Sequence, residues 1–129
     1  MAKLYHELQV GTNIYKLRIS ARACAELERK LGGSVLRLVM RQAIAAQQAE
    51  TDEDAMAVVN AMISPEEYAL IVHAALQKFE HGKTLDDAFD LIDDFISEGH
   101  TYMELLKEIM EILNVSGIMP KQVKQEEQE

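Results

Sequence analysis

The chain has 129 residues, of which 48% are hydrophobic, and it carries 22 acidic against 13 basic side chains. This length is typical of one domain and suffices for a hydrophobic core without disulfide bonds. The single cysteine, Cys24, excludes a disulfide scaffold and any multi-cysteine zinc or iron–sulfur site. No apolar run approaches the roughly 20 residues that span a bilayer, so we expect a cytosolic domain without a membrane partner.

The net charge of −9 is unevenly distributed along the chain. Residues 1–42 carry eight basic and three acidic side chains, a local charge of +5, whereas residues 43–129 carry five basic and nineteen acidic side chains, a local charge of −14. A surface rich in carboxylates repels phosphate, and no aromatic residues are interleaved with the basic positions, so we predict no nucleic-acid partner. The basic end is either a solvated face or a surface complementary to the acidic half of this or another copy.

The first predicted element is a β-hairpin within residues 1–19. Apolar and polar residues alternate in Lys3–Val10 and again in Ile14–Ile19. Between these segments, Gly11–Asn13 provides a short loop in which one residue is free to take a positive φ. An isolated hairpin is only marginally stable in water, so this one must lie on helices or pair with a neighbouring chain.

From Ser20 onward the apolar spacing changes to that of helices, and about five helices are predicted within residues 20–119. The predicted first residues or N-caps are Ser20, Ser34, Thr51, Ser64, Thr84 and Thr101, and the predicted stops are Gly32, Met62, Gly82, Gly99 and Gly117. The fold class is therefore mainly α (α+β), with one domain over residues 1–119. The polar segment 120–129 has no core to join, so we expect it to be a frayed tail.

The predicted helix after Thr84 carries six acidic residues and no basic one. Helical spacing places Asp86, Asp90, Asp93 and Asp94 on one face, where like charges slightly destabilise the helix. The glycine turn of a calcium loop and the Glu-x-x-His pairs of a di-iron site are both missing, so no metal site is predicted. The four aspartates form either a solvated face or a partner-binding face.

Two apolar residues, Ile118 and Met119, follow the last predicted helix. Residues beyond a helix end are hard to bury within one chain, so we predict that these two cover a neighbouring copy or a partner helix. Methionine fills irregular cores and also lines adaptable binding surfaces. Core positions are predicted for Met56 and Met110.

The sequence contains no pattern that indicates catalysis. His73 lies among apolar residues, and Cys24 lies on an apolar helical face, so a half-buried ring and a core thiol are expected; nothing supports a Cys–His nucleophile pair. The motifs His-Glu-x-x-His, Cys-x-x-Cys and Gly-x-Ser-x-Gly are missing, as is a phosphate-binding loop. We therefore predict no catalytic, cofactor-binding or metal-binding residues, and a protein that is not an enzyme.

Four stretches carry a resemblance to a known family: LYHELQVGTNIYKLRISARACAELERKLG (Leu4–Gly32), LQKFEHGKTLDD (Leu76–Asp87), FISEGHTYMELLKEI (Phe95–Ile109) and ILNVSGI (Ile112–Ile118). In this order they resemble the tail assembly chaperones of long-tailed, siphovirus-like bacteriophages and prophages of Gram-positive bacteria. The similarity covers most of the chain and is lowest over Met40–Met62. Its motifs are structural, not catalytic.

The resemblance implies a non-enzymatic protein of the host cytoplasm. Such a chaperone binds the tape-measure protein and keeps it soluble while tail-tube subunits polymerise around it, and it is not part of the mature virion. A longer form made by ribosomal frameshifting would recruit the tail-tube protein. Separately, the charges of +5 and −14 on the two halves suggest that several copies bind one client as a head-to-tail homo-oligomer, in which the basic start of one copy meets the acidic end of the next. Two alternatives stay open: a small acidic adaptor that binds one partner through the helix Asp86–Glu98, and a structural tail component.

Overall fold

The computed structural model describes residues 4–48 and 62–119. These residues form an antiparallel β-hairpin followed by five helices, as the sequence predicts. The elements are β1 (His6–Val10), β2 (Asn13–Leu17), α1 (Ala21–Leu31), α2 (Val35–Gln48), α3 (Pro65–Leu76), α4 (Leu85–Ser97) and α5 (Tyr102–Val115). The predicted helix that begins at Thr51, with Met56, and the predicted tail 120–129 lie outside the described residues.

The hairpin pairs β1 with β2 in a register that runs from His6 opposite Leu17 to Val10 opposite Asn13. Gly11 makes the turn with a φ of 64°, a conformation that glycine adopts without steric cost. Alternation along the strands buries Leu8, Val10 and Leu17 on one side and leaves the other side in solvent.

The hairpin packs on the helices of its own chain. The Arg18 amide, just after β2, donates to the carbonyl of Ala75 in α3 at 3.0 Å. The Lys16 amide donates to the Glu80 carboxylate at 3.1 Å. On β1, the His6 ring contacts the Glu108 carboxylate of α5, with 2.6 Å between Nε2 and Oε1. Helix packing therefore supplies the support that the two strands need.

The helix boundaries follow local capping chemistry. The Ser20 hydroxyl accepts a hydrogen bond from the Ala23 amide, and Gly32 ends α1 in the left-handed conformation with a φ of 79°. Capping boxes begin the last three helices, in which the N-cap hydroxyl and an acidic side chain three residues later each accept an amide hydrogen bond. The pairs are Ser64 with Glu67, Thr84 with Asp87, and Thr101 with Glu104.

Helix α3 lies at the centre of the described structure. It packs against α1, α4, α5 and β2, and seven of its twelve residues are buried. Its buried residues include Tyr68, Ile71 and Val72. The sequence predicts that this helix continues to Gly82, but it ends at Leu76. Phe79, beyond that end, is 37% exposed, and its ring packs edge-on against Tyr5. No helix in residues 4–48 and 62–119 has both the length and the apolar composition that crossing a membrane requires.

Candidate partner-binding surfaces

The first candidate surface is the acidic face of α4, defined as Asp86, Asp90, Asp93 and Asp94. All four side chains are exposed, and the opposite side of the helix buries Ala88, Leu91, Ile92 and Phe95. The helical spacing thus places the aspartates as predicted. Their role in binding a partner stays a prediction.

The helix tolerates this charge partly through its first turn. The Asp87 carboxylate accepts a hydrogen bond from the Thr84 amide at 2.8 Å. Hydrogen bonding with Thr84 lowers the pKa of Asp87 below its ordinary value of 3.8. An ionised carboxylate at this position also interacts favourably with the positive end of the helix dipole. Local capping therefore keeps the start of the acidic helix stable.

The second predicted pair, Ile118 and Met119, is half-buried against the core of its own chain. Their amides donate to the Leu113 carbonyl at 2.9 and 3.4 Å, which folds the chain back over the end of α5. The two residues are thus partly covered without a neighbour. Ile118 also lines an open groove of about 510 Å³ against α1, in which Cys24 lies. Ile118 and Met119 lie beside α1 and the end of α5, whereas α4 packs on α3 and β1. The pair Ile118 and Met119 and the acidic face of α4 therefore belong to different surfaces.

A third surface, which the sequence analysis does not predict, surrounds Gln42. This side chain is only 1% exposed, and its carboxamide oxygen accepts the amide of Ile63 at 2.8 Å. Its carboxamide nitrogen donates to the Met103 sulfur at 3.3 Å. Met103 therefore contacts this carboxamide, and Met62 precedes the residue whose amide the carboxamide binds; Met103 and Met62 are 41% and 47% exposed. We call this pair the methionine surface.

A fourth surface lies on the outer side of the hairpin. The rings of Tyr5 and Phe79 meet edge-on with 5.3 Å between their centroids, and the Lys16 ammonium lies 5.0 Å from the centre of the Tyr5 ring. Leu4 and Ile14 are exposed on the same hairpin. A cation–π contact at an exposed site contributes about 0.5–1 kcal/mol. The contacts among Tyr5, Phe79 and Lys16 therefore stabilise their arrangement only modestly.

Cys24 and His73 lie outside these surfaces, and both have shifted pKa values. Cys24 is half-buried against the core, and burial, followed by the nearby Glu28 carboxylate, raises the pKa of its thiol. His73 is half-buried as predicted, and burial, followed by the Lys30 charge, lowers the pKa of its ring. An activated cysteine needs a lowered pKa. Within the described ranges, no three His, Cys, Asp or Glu side chains are grouped as metal ligands.

These features define a small, mainly helical α+β domain whose distinctive groups lie on its surface, where they can meet another protein. The chain belongs to a family of unknown function, DUF6096, whose profile matches residues 1–128. No curated protein and no solved structure shows a significant match to the chain.

Proposed function

We propose that this chain is a phage tail assembly chaperone that binds the tape-measure protein and keeps it soluble during assembly of the tail tube. The methionine surface is the observation that carries the proposal, because a protein that holds an apolar client needs apolar side chains that reach solvent in its free form. The resemblance of residues 4–32 and 76–118 to tail assembly chaperones supports the same role.

The chemistry of the methionine surface suits a long and repetitive helical client. Methionine is unbranched and polarisable, so Met62 and Met103 can adapt to different apolar side chains along such a helix. Gln42 binds the Ile63 amide next to Met62 and donates to the Met103 sulfur. The client would thus meet two adaptable side chains that are linked to the core through one buried residue.

The charge of the chain suits a complex that must stay dispersed. With a net charge of −9, copies bound along one client repel other complexes and limit precipitation. In this proposal the chain acts in the host bacterial cytoplasm as one of several copies and leaves before the virion is complete. A longer frameshifted form would bring in the tail-tube protein.

The test is co-expression with a long helical protein encoded in the neighbourhood of this gene, as the candidate client. We expect the long helical protein to become soluble and to co-purify with the wild-type chain. The double substitution Met62→Ser and Met103→Ser should reduce the soluble client strongly. The control Ile14→Ser removes an apolar side chain that is 58% exposed on the hairpin, away from the methionine surface, and should leave the yield unchanged.

Two results would overturn the proposal. One is a client that stays insoluble with the wild-type chain. The other is an equal loss of client with Ile14→Ser and with the methionine variant, because this would show that any loss of exposed apolar area has the same effect.

A second candidate function is a small acidic adaptor that binds a basic partner through α4. The exposed aspartates Asp86, Asp90, Asp93 and Asp94 favour it. Gene order distinguishes the two, since a tape-measure gene just downstream favours the chaperone and a regulatory operon favours the adaptor. Mass spectrometry of purified virions separates a structural tail component, which must be present, from a chaperone, which must be missing.

A further inference from the structure

Three lysines lie against three aromatic rings where the hairpin meets the segment between α3 and α4. The ammonium nitrogens are 5.0, 5.8 and 6.0 Å from the ring centroids in the pairs Lys16 with Tyr5, Lys78 with Phe79, and Lys83 with Tyr15. The Tyr5 and Phe79 rings also meet edge-on, which joins two of these pairs. We call these six residues the lysine–aromatic cluster. It includes the Tyr5–Phe79 contact of the fourth surface and shares no residue with the methionine surface.

Hydrogen bonds to the backbone hold the two parts of the cluster together. The Lys16 amide of β2 donates to the Glu80 carboxylate at 3.1 Å, so Glu80 attaches the segment after α3 to the hairpin. Within that segment, the Gln77 carboxamide donates to the carbonyls of His73 at 2.9 Å and Lys83 at 3.2 Å. A ligand would therefore meet rings and ammonium groups that are already placed, which reduces the entropy lost on binding.

The lysines of the cluster have no carboxylate partner among the described residues. The two ion pairs within residues 4–48 and 62–119 both involve histidine. Glu7 lies directly opposite Lys16 in the hairpin register, a position at which opposite charges usually pair. The Lys16 ammonium lies over the Tyr5 ring instead. The ring thus holds this ammonium without neutralising its charge.

Large apolar side chains reach solvent around these charges. Phe79 is 37% exposed, and Leu4 and Ile14 on the same hairpin are 69% and 58% exposed. Lys16 and Lys78 are exposed as well. The outer side of the hairpin therefore presents positive charge and apolar area together, in a chain whose net charge is −9.

We propose that the lysine–aromatic cluster binds an acidic segment of another protein in which carboxylates are interspersed with large apolar side chains. The carboxylates meet Lys16 and Lys78, because no carboxylate of the described residues lies within 4.0 Å of these ammonium groups. The apolar side chains cover Phe79 and Ile14, and this burial adds to the affinity that the charges give. Complementary charge fixes the orientation of the segment. Binding at this surface does not depend on the proposed client.

Single-stranded nucleic acid is a second class of ligand that binds to basic residues beside aromatic rings. The observations favour a protein segment. A base stacks on a free ring face, whereas each ring of the cluster already has an ammonium group over one face. Glu7 and Glu80 also lie next to Lys16, and a phosphate on every nucleotide cannot avoid them. The carboxylates of a peptide can be spaced so that they do.

The test measures the binding of labelled probes by fluorescence anisotropy at low and high salt. The first probe is a short peptide of alternating Asp and Leu, the second replaces each Leu by Ser, and the third is a single-stranded thymidine oligomer. The Asp–Leu peptide should bind most tightly, and its affinity should fall as salt rises because salt screens exposed charges. The Asp–Ser peptide should bind more weakly because it covers less apolar area.

Matched lysine variants locate the site. Lys16→Gln with Lys78→Gln removes two ammonium groups of the cluster and should weaken binding of the Asp–Leu peptide about 2–30-fold, the range expected for two exposed ion pairs. Lys30→Gln with Lys107→Gln removes the same charge from two exposed residues outside the cluster and should bind like the wild type. Since all four side chains are exposed, unchanged circular dichroism spectra will show that both variants fold.

The inference fails on any of three results. The first is an Asp–Leu peptide that does not bind, or that binds no more tightly than the Asp–Ser peptide. The second is a control variant that loses as much affinity as the cluster variant, because net charge and not the cluster would then govern binding. The third is a thymidine oligomer that binds more tightly than the peptide, which would assign the cluster to nucleic acid.

Discussion

Replacing Gln42 by methionine tests how the interior supports the methionine surface. The substitution keeps the length of the side chain but removes the oxygen that accepts the Ile63 amide at 2.8 Å. Both residues are buried, so water cannot replace that bond. An amide that loses its partner in the interior costs about 1–3 kcal/mol. For a chain of this size the expected fall in Tm is roughly 3–12 °C.

The assay is urea unfolding followed by circular dichroism, with thermal unfolding as a second measurement. The midpoint should fall while the dependence of the unfolding free energy on urea stays constant, since the surface exposed on unfolding is unchanged. Gln9→Met is the matched control, because Gln9 is exposed on β1 and its loss should change stability by less than about 0.5 kcal/mol. If Gln42→Met were equally mild, the Ile63 amide would not depend on Gln42 and the reasoning would be refuted.

Three further predictions concern a helix end, a buried phenol and a cap. Gly32→Ala should cost about 1–2 kcal/mol in urea unfolding because Gly32 has a φ of 79°. Gly33→Ala should be neutral or slightly stabilising, because a Cβ atom added at Gly33 would meet no other part of the structure within 4 Å. Burial raises the pKa of Tyr68 to about 12, so a tyrosinate absorbance step near pH 12 should disappear in Tyr68→Phe. Since that pKa is higher in the folded state, the stability that Tyr68 provides is complete below pH 10 and should fall as the pH rises toward 12. Hydrogen bonds from Thr84 lower the pKa of Asp87 below 3.8, so Asp87→Asn should be less stable than the wild type at neutral pH, and the difference should shrink as the pH falls below 3.8.

The parts of the fold that depend on neighbouring residues can be predicted from the sequence. Ser64 and Thr101 begin helices because the N-cap hydroxyl accepts a hydrogen bond from the amide three residues later, while the carboxylate of that residue accepts one from the N-cap amide. All the groups involved lie in one turn, so the sequence alone predicts them. The hairpin follows from alternation across Gly11 in the same way. The exposure of the four aspartates of α4 follows from helical spacing alone, because the buried residues Ala88, Leu91, Ile92 and Phe95 lie on the opposite side of that helix.

The methionine surface depends on contacts between residues far apart in sequence. Gln42 meets Ile63, which is 21 residues later, and Met103, which is 61 residues later. No local pattern shows that a polar residue on the apolar side of α2 will find both partners. The half-burial of Ile118 likewise depends on residues far away in sequence, because Ile118 lines a groove beside α1.

The packing of α3 explains why the opposite charges of the two halves are kept apart. Because seven of the twelve residues of α3 are buried, the elements around it are held on different sides; α1, α4, α5 and β2 pack on α3, and α2 packs on α1 and α5. Within residues 4–48 and 62–119, no Lys or Arg side chain lies within 4.0 Å of a carboxylate, so the opposite charges of these residues form no such ion pair there. Exposed ion pairs add little to the stability of a fold, so a chain that avoids them loses little. The exposed arginines of α2, Arg37 and Arg41, and the exposed aspartates of α4 thus stay available to other molecules, and complementary surface charge steers association with a partner.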